Sequence, residues 1–258
     1  MVSWSFFSDA FSLVVRHPKL LVPKLLVALL YGFVMLESAR LSVALAPSAF
    51  GVDPLSQAEA LALLGPVLLL SLGSIFVLLL DVWISSWYPA LVSQFHLSKR
   101  VSFRLAIQAS AKRFWVSVPL LAGFDLVVSI ILAIISTLVL LVSPALFGVT
   151  LVGSLIALLV IYVFTYPLLS VSVLEKGSYW QSLSRSFALS RKNWVSFSPA
   201  ALLSFLVSLL NFGLAFLVGN PALLLLFWGV RFFLAVIVTY TTVVNPSAYL
   251  AVIGSSAP

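Results

Sequence analysis

Apolar positions in this chain come in long runs rather than in alternation. Six apolar stretches, near residues 20–46, 60–93, 114–142, 147–174, 196–218 and 222–250, are separated by short polar segments or by a turn signal. Each is long enough to supply the roughly 20 residues a helix needs to cross a ~30 Å hydrocarbon layer. No charged residue lies between Asp125 and Glu175, or between Lys192 and Arg231, so each of these gaps holds most or all of two crossings. Ser143-Pro144 breaks the first gap and Gly219-Asn220-Pro221 the second, and each gap therefore reads as a tight helical hairpin. The expected fold class is all-α: a polytopic integral membrane protein with six transmembrane helices in three helical hairpins, one transmembrane domain over 1–258.

A different period governs EKGSYWQSLSRSFALSRKNW, from Glu175 to Trp194, between the fourth and fifth runs. Trp180, Leu183, Phe187 and Trp194 recur at steps of three, four and seven, which places them on one side of a helix. Arg185 and Lys192 point elsewhere, and Arg191 falls at the edge of the stripe. A helix of this kind lies on a membrane surface, with apolar side chains at the acyl boundary and Lys and Arg at phosphate level. The alternative is a cytoplasmic extension of a long span, packed against its neighbours.

Prolines mark a repeat. Pro23, Pro119 and Pro199 stand near the start of each odd span, and Pro89, Pro167 and Pro246 near the end of each even one. Pro119 to Pro199 is 80 residues, Pro89 to Pro167 is 78 and Pro167 to Pro246 is 79. Seven residues before the odd-span prolines come Arg16, Lys112 and Lys192, and twelve before come Phe11, Ile107 and Phe187. The match is imperfect, since Tyr88 and Tyr166 precede two even-span prolines and Asn245 the third. Units of roughly 1–95, 96–175 and 176–250 follow, each with its own interfacial amphipathic helix, in a pseudo-threefold arrangement about the membrane normal.

Composition agrees with the pattern. The chain is 62% hydrophobic and 8% charged, with a mean hydropathy of +1.21, far above the usual range of soluble domains. Its net charge of +7 is concentrated on one side. Lys99, Arg100, Arg104, Lys112 and Arg113 lie between spans two and three; Lys176, Arg185, Arg191 and Lys192 lie between four and five; Arg16, Lys19 and Lys24 precede or open span one. The opposite loops carry only Asp53 and Glu59, so the positive-inside rule places both termini in the cytoplasm and the chain in the cell membrane. A cationic face of this kind suits anionic lipid headgroups, with a membrane-protein partner or a second copy as further possible contacts, and removes the nucleic-acid reading of a pI near 9.9. The candidate contacts are Arg16, Lys19, Lys99, Arg100, Arg104, Lys112, Arg113, Arg185, Arg191 and Lys192. The opening residues do not read as a cleaved leader, because Arg16, Lys19 and Lys24 come late and Glu37 and Arg40 interrupt the apolar run.

The segment VSVLEKGSYWQSLSRSFALSRKNW resembles the signature of the YciC-like family, which includes the membrane domain of glycerophosphodiester phosphodiesterases. Glu175, Gly177, Ser182, Leu183, Ser186, Leu189, Lys192 and Trp194 occupy places similar to those of that signature, and FSDAFSLVVRHPKLLVPKLL looks like the family's N-terminal start. The resemblance implies a polytopic helical membrane protein and little chemistry. These 258 residues include no soluble phosphodiesterase domain, so it does not extend to phosphodiester hydrolysis.

Five ionisable residues fall at membrane depth, where charge is costly: Glu37 and Arg40 in span one, Asp81 in span two, Asp125 in span three and Arg231 in span six. Arg231 has no acidic neighbour in its own helix, and depth along the spans makes Glu37 or Asp125 its expected partner, with carbonyls of another span or water as alternatives. Such a cluster either fixes helix docking or lines a polar path. Catalytic chemistry has little to build on. With no cysteine and only His17 and His96, both at the cytoplasmic edge, thiol catalysis and zinc-thiolate sites are excluded, and neither a serine-histidine pair nor a metal centre is expected. No cofactor is expected. Trp83, Trp87, Tyr88, Trp115, Tyr179, Trp180 and Trp194 suit an interfacial aromatic belt, and Gly73-Ser74 and Gly153-Ser154 read as points of close helix packing. The sequence favours a non-enzymatic lipid- or protein-interacting scaffold or accessory subunit over a small transporter or channel with a midplane polar site.

Overall fold

The structure is a computed structural model that describes residues 4–49, 56–142, 147–218 and 220–254. Every long element among them is an α-helix: α1 (Ser5–Arg16), α2 (Leu21–Ala49), α3 (Gln57–Ser85), α4 (Trp87–Ser98), α5 (Phe103–Val142), α6 (Phe147–Thr165), α7 (Leu168–Leu174), α8 (Tyr179–Lys192), α9 (Trp194–Gly213), α10 (Ala215–Val218) and α11 (Leu224–Gly254). Five segments are long and apolar enough to cross a membrane: Pro18–Val43, Leu61–Ser98, Gly148–Leu174, Trp194–Asn211 and Leu224–Gly254. They correspond to the first, second, fourth, fifth and sixth apolar runs. The third run, 114–142, lies within α5. The turn at Ser143-Pro144, the residue Gly219 and the loop bearing Asp53 lie outside the described residues.

The helices have the surface of a chain solvated by lipid. Leu69 in α3, Val149 in α6 and Leu225 in α11 are 74%, 72% and 87% exposed, each within a run of other exposed aliphatic side chains. Hydroxyls on these helices bond back to their own backbone: Ser71 Oγ to Val67 O, Ser74 Oγ to Leu70 O, Thr165 Oγ1 to Ile161 O and Thr239 Oγ1 to Ala235 O, all at 2.8–2.9 Å. Back-bonding of this kind satisfies a polar atom without water, as a hydrocarbon environment demands.

The proline landmarks have unequal consequences. The α3 helix gives way to α4 at Ser86, and α6 to α7 around Tyr166-Pro167, where proline supplies no N–H to the ladder. By contrast, α11 runs unbroken through Pro246. The α6–α7 break is held by a side chain from another helix: Asn245 donates from Nδ2 to Tyr166 O (2.5 Å) and accepts at Oδ1 from Ser170 Oγ (2.7 Å). Asn245, which precedes Pro246 as Tyr88 precedes Pro89 and Tyr166 precedes Pro167, thus ties α11 to the α6–α7 break.

The chain divides into two compact units. One comprises Met1–Pro18, Val82–Leu206 and Tyr240–Pro258. Its core holds Phe6, Ala10, Leu13, Tyr88, Leu91, Leu168, Val171, Phe197, Val243 and Val244, all buried. The other comprises Lys19–Asp81 and Val207–Thr239. Within it Leu214, Phe227 and Leu234 form a core cluster, flanked by Met35, Leu36, Leu217 and Trp228. At Gly32 the indole of Trp228 packs directly on the α2 backbone: an added Cβ would lie 2.5 Å from Trp228 Cη2 and Cζ3. Trp228 is itself held, edge-on to Phe33 and Phe227 and stacked on Phe232. Gly73 and Gly153, the glycines expected to mark close packing, have no atom of another helix among the described residues within 4 Å of an added Cβ. A small residue permits close approach, but a partner must be present to use it.

Candidate membrane-interface surface and buried charges

The α8 helix begins where Ser178, in extended conformation (φ −74°, ψ 176°), donates its backbone N–H to Gln181 Oε1 at 2.9 Å. Arg191 and Lys192 stand in its last turn, where positive charge suits the helix dipole. Its two faces are inverted relative to a helix on a water-soluble protein. Ser182, Ser186, Leu189 and Ser190 are buried, whereas Trp180 is 79% exposed, with Phe187 and the following Trp194 also exposed. Leu183 is partly buried. The α1 helix also has an outer apolar face, with Trp4, Phe11 and Val15 exposed opposite buried Phe6, Ala10, Leu13 and Val14. Leu105 and Trp115 of α5 are likewise exposed.

Nine of the ten expected cationic contacts are exposed: Arg16, Lys19, Lys99, Arg100, Arg104, Lys112, Arg185, Arg191 and Lys192. Lys99 closes α4 in left-handed conformation (φ 55°) with its ammonium 5.1 Å from the centre of the Phe95 ring. Arg185 reaches Glu175 Oε1 (3.3 Å), which also accepts from Tyr249 Oη (2.7 Å). Arg113 departs from the set. It is partly buried, with Nε donating to Ser172 O (3.1 Å) and Nη2 to Gly177 O (2.6 Å), so it fastens the turn between α7 and α8. Two tightly held carbonyls, rather than phosphate, take its hydrogen bonds.

The expected belt aromatics also divide. Trp115, Trp180 and Trp194 are exposed, and Tyr179 Oη donates to Trp115 O. Tyr88 is fully buried in the core instead. Trp83 and Trp87 are half-buried and edge-on to each other at 5.2 Å. His17 and His96 both lie against Phe95, and no group of three metal-ligating side chains occurs among the described residues.

The membrane-depth charges form separate hydrogen bonds, with Asp81 also attracting Arg231 electrostatically. Glu37 and Arg40 pair with each other at 2.6 Å, one turn apart and well exposed. Asp81 pairs with Lys24, whose side chain is only 4% exposed. Arg231, 7% exposed, donates from Nε to Ala28 O (3.1 Å) and from Nη1 to Asn211 Oδ1 (2.6 Å), and its guanidinium sits 5.5 Å from the Tyr31 ring centre. Its hydrogen bonds therefore go to neutral acceptors rather than to Glu37, and the side chain of Asp125 lies outside the described residues. Neutral acceptors suffice because a helix carbonyl has a second lone pair and an amide oxygen is available at short range. From the sequence Lys24 reads only as a positive-inside residue opening span one, and Asn211 is not singled out. The spacing of Lys24, Ala28 and Tyr31, which share one face of α2, was the available signal. No protein-family model, curated protein or solved structure matches the chain.

Proposed function

We propose that this chain is a non-enzymatic integral membrane protein whose basic elements form a cytoplasmic platform for anionic lipid headgroups, in the role of a scaffold or accessory subunit of the cell membrane. The observation that carries this reading is the inversion of α8: three serines buried, Trp180 and Phe187 outward, Arg185, Arg191 and Lys192 exposed beside them. Leaving an aromatic side chain in water rather than burying it forfeits about 1.5–3 kcal/mol, so such a face is stabilised where lipid covers it. The reading takes α5 as the sixth crossing: its 40 residues amount to about 60 Å of helix, twice the hydrocarbon thickness. Burial favours the three-unit repeat. Ala10, Ala106 and Ser186, each thirteen residues before its odd-span proline, are all 0% exposed. The surface element corresponds to a separate helix, α1 or α8, in the first and third units and to the start of α5 in the second.

A variant retaining Trp180 as its sole tryptophan tests the proposal in nanodiscs. Acyl-brominated phosphatidylglycerol should quench its emission more strongly than brominated phosphatidylcholine, and replacing Arg185, Arg191 and Lys192 with glutamine should remove that preference. Quenching by aqueous acrylamide in place of brominated lipid would end the platform reading.

A second reading, a small transporter or channel, draws on the buried Arg231. Its Nη2 makes no hydrogen bond among the described residues. The two bonds to Ala28 O and Asn211 Oδ1 favour a docking clamp, and complete protection of an Arg231→Cys variant from aqueous maleimide would exclude a conduit there.

A further inference from the structure

Beside the N-terminus of α8 lies a cleft of about 620 Å³ lined by Glu175, Lys176, Gly177, Trp180, Ser182 and Arg185, among others. Four features of its wall have one chemical sense. The backbone N–H of Trp180, a lining residue, and that of Tyr179 beside it are first-turn donors with no acceptor among the described residues, since the turn's own bonds run from Gly177 N to Glu175 O, from Gln181 N to Ser178 Oγ and from Ser182 N to Ser178 O. Ser182 is 1% exposed, and its Oγ is buried with no hydrogen-bond partner. Glu175 is already engaged by Arg185 and Tyr249, which leaves Lys176 as an exposed cation with no ion pair among the described residues. The loop is held in advance by Arg113 on Ser172 O and Gly177 O.

Gly177 keeps the space open. A Cβ there would stand 3.3 Å from Gln181 Cβ and 3.5 Å from Ser182 Oγ, closing in on the unpartnered hydroxyl. An unmatched buried hydroxyl costs about 1–3 kcal/mol; of the two other inward serines of α8, Ser186 avoids that cost by bonding to Phe164 O, and Ser190 Oγ is also unpartnered but does not line the cleft. Helix-start N–H donors, a hydroxyl and a lysine together make a receptor for a tetrahedral anion. The exposed Trp180 at the mouth and Phe187 two turns along give the anion an apolar companion.

We infer that this cleft is a discrete binding site for the phosphate ester of an anionic phospholipid, with Ser182 Oγ, Lys176 and the first-turn N–H groups of α8 on the phosphate and Trp180 beside the glycerol-acyl junction. The inference rests on the platform reading and sharpens it from diffuse attraction to one stoichiometric site.

Thermal unfolding of the purified full chain in detergent, titrated separately with dihexanoyl phosphatidylglycerol, dihexanoyl phosphatidylcholine and glycerol 3-phosphate, tests it. Wild type should show a saturable single-site rise in Tm with phosphatidylglycerol alone. Ser182→Ala should raise the ligand-free Tm, because it removes the unmatched hydroxyl, while weakening the lipid response about tenfold, equivalent to about 1.4 kcal/mol. Lys176→Gln should also weaken it, and Arg191→Gln with Lys192→Gln should leave it intact. An undiminished response in both Ser182→Ala and Lys176→Gln would overturn the site, as would a rise that never saturates. An equal response to glycerol 3-phosphate would assign the cleft to a water-borne ester and overturn the lipid assignment. The platform is scored independently by brominated-lipid quenching: a saturable site without a quenching preference would leave the cleft standing and remove the wider surface.

Discussion

Replacing Arg231 with methionine keeps most of the side chain's volume and removes its charge and donors. In the structure this deletes two hydrogen bonds, to Ala28 O at 3.1 Å and to Asn211 Oδ1 at 2.6 Å. The two losses are unequal. Ala28 O belongs to α2's own backbone ladder and stays satisfied, whereas Asn211 Oδ1 loses its charged donor and keeps only the bond that its Nδ2 makes to Val207 O (3.0 Å). A charge-assisted bond is worth about 1.5–3 kcal/mol, compared with about 0.6 for an average neutral hydrogen bond between membrane helices. Removing the buried charge returns part of this. Arg231→Met should therefore destabilise by about 1–3 kcal/mol, Asn211→Leu by a similar amount, and the double variant by much less than their sum. The assay is unfolding in mixed micelles titrated with dodecyl sulfate, arranged as a double-mutant cycle. Additive losses within ~0.3 kcal/mol would refute the clamp and return Arg231 to the transport reading.

Other expectations follow from single contacts. Gly32→Ala drives a methyl group into an indole held by three aromatic neighbours and should cost about 1–3 kcal/mol by the same unfolding assay; an unchanged midpoint would show that Trp228 moves freely. Asn245→Leu should lower Tm by removing the only bonds described between this side chain and the α6–α7 break, at about 1–3 kcal/mol, with Asn245→Gln no full rescue because the amide is displaced by a methylene. Arg40→Gln breaks an exposed pair one turn long and should change stability by less than about 1 kcal/mol.

Crossing segments were legible because length and apolarity are summed locally, along one stretch of chain. Within α8, Trp180 and Phe187 of the expected stripe are exposed and Leu183 is partly buried, while Ser182, Ser186 and Ser190, four residues apart, form the inward face. Partners were not legible. Lys24 reads as one more positive-inside anchor until Asp81, 57 residues away, is brought beside it. Arg231 pairs with an amide and a carbonyl, which carry no charge for a sequence-based search to find. Nothing local in the sequence separates the role of Arg113 from that of adjacent, exposed Lys112; the positions of Ser172 O and Gly177 O do. Tyr88 shows the converse, an aromatic with interfacial composition that packing draws fully inside.

The natural absence of cysteine makes the sidedness of the basic elements directly measurable. Single cysteines replacing Ser8, Lys112, Arg191 and Asn220, all exposed positions, can be labelled with a membrane-impermeant maleimide in sealed vesicles of known orientation. The account predicts that Ser8→Cys, Lys112→Cys and Arg191→Cys react only in inside-out vesicles and Asn220→Cys only in right-side-out ones. Reaction of any of the first three from the exterior face would contradict it.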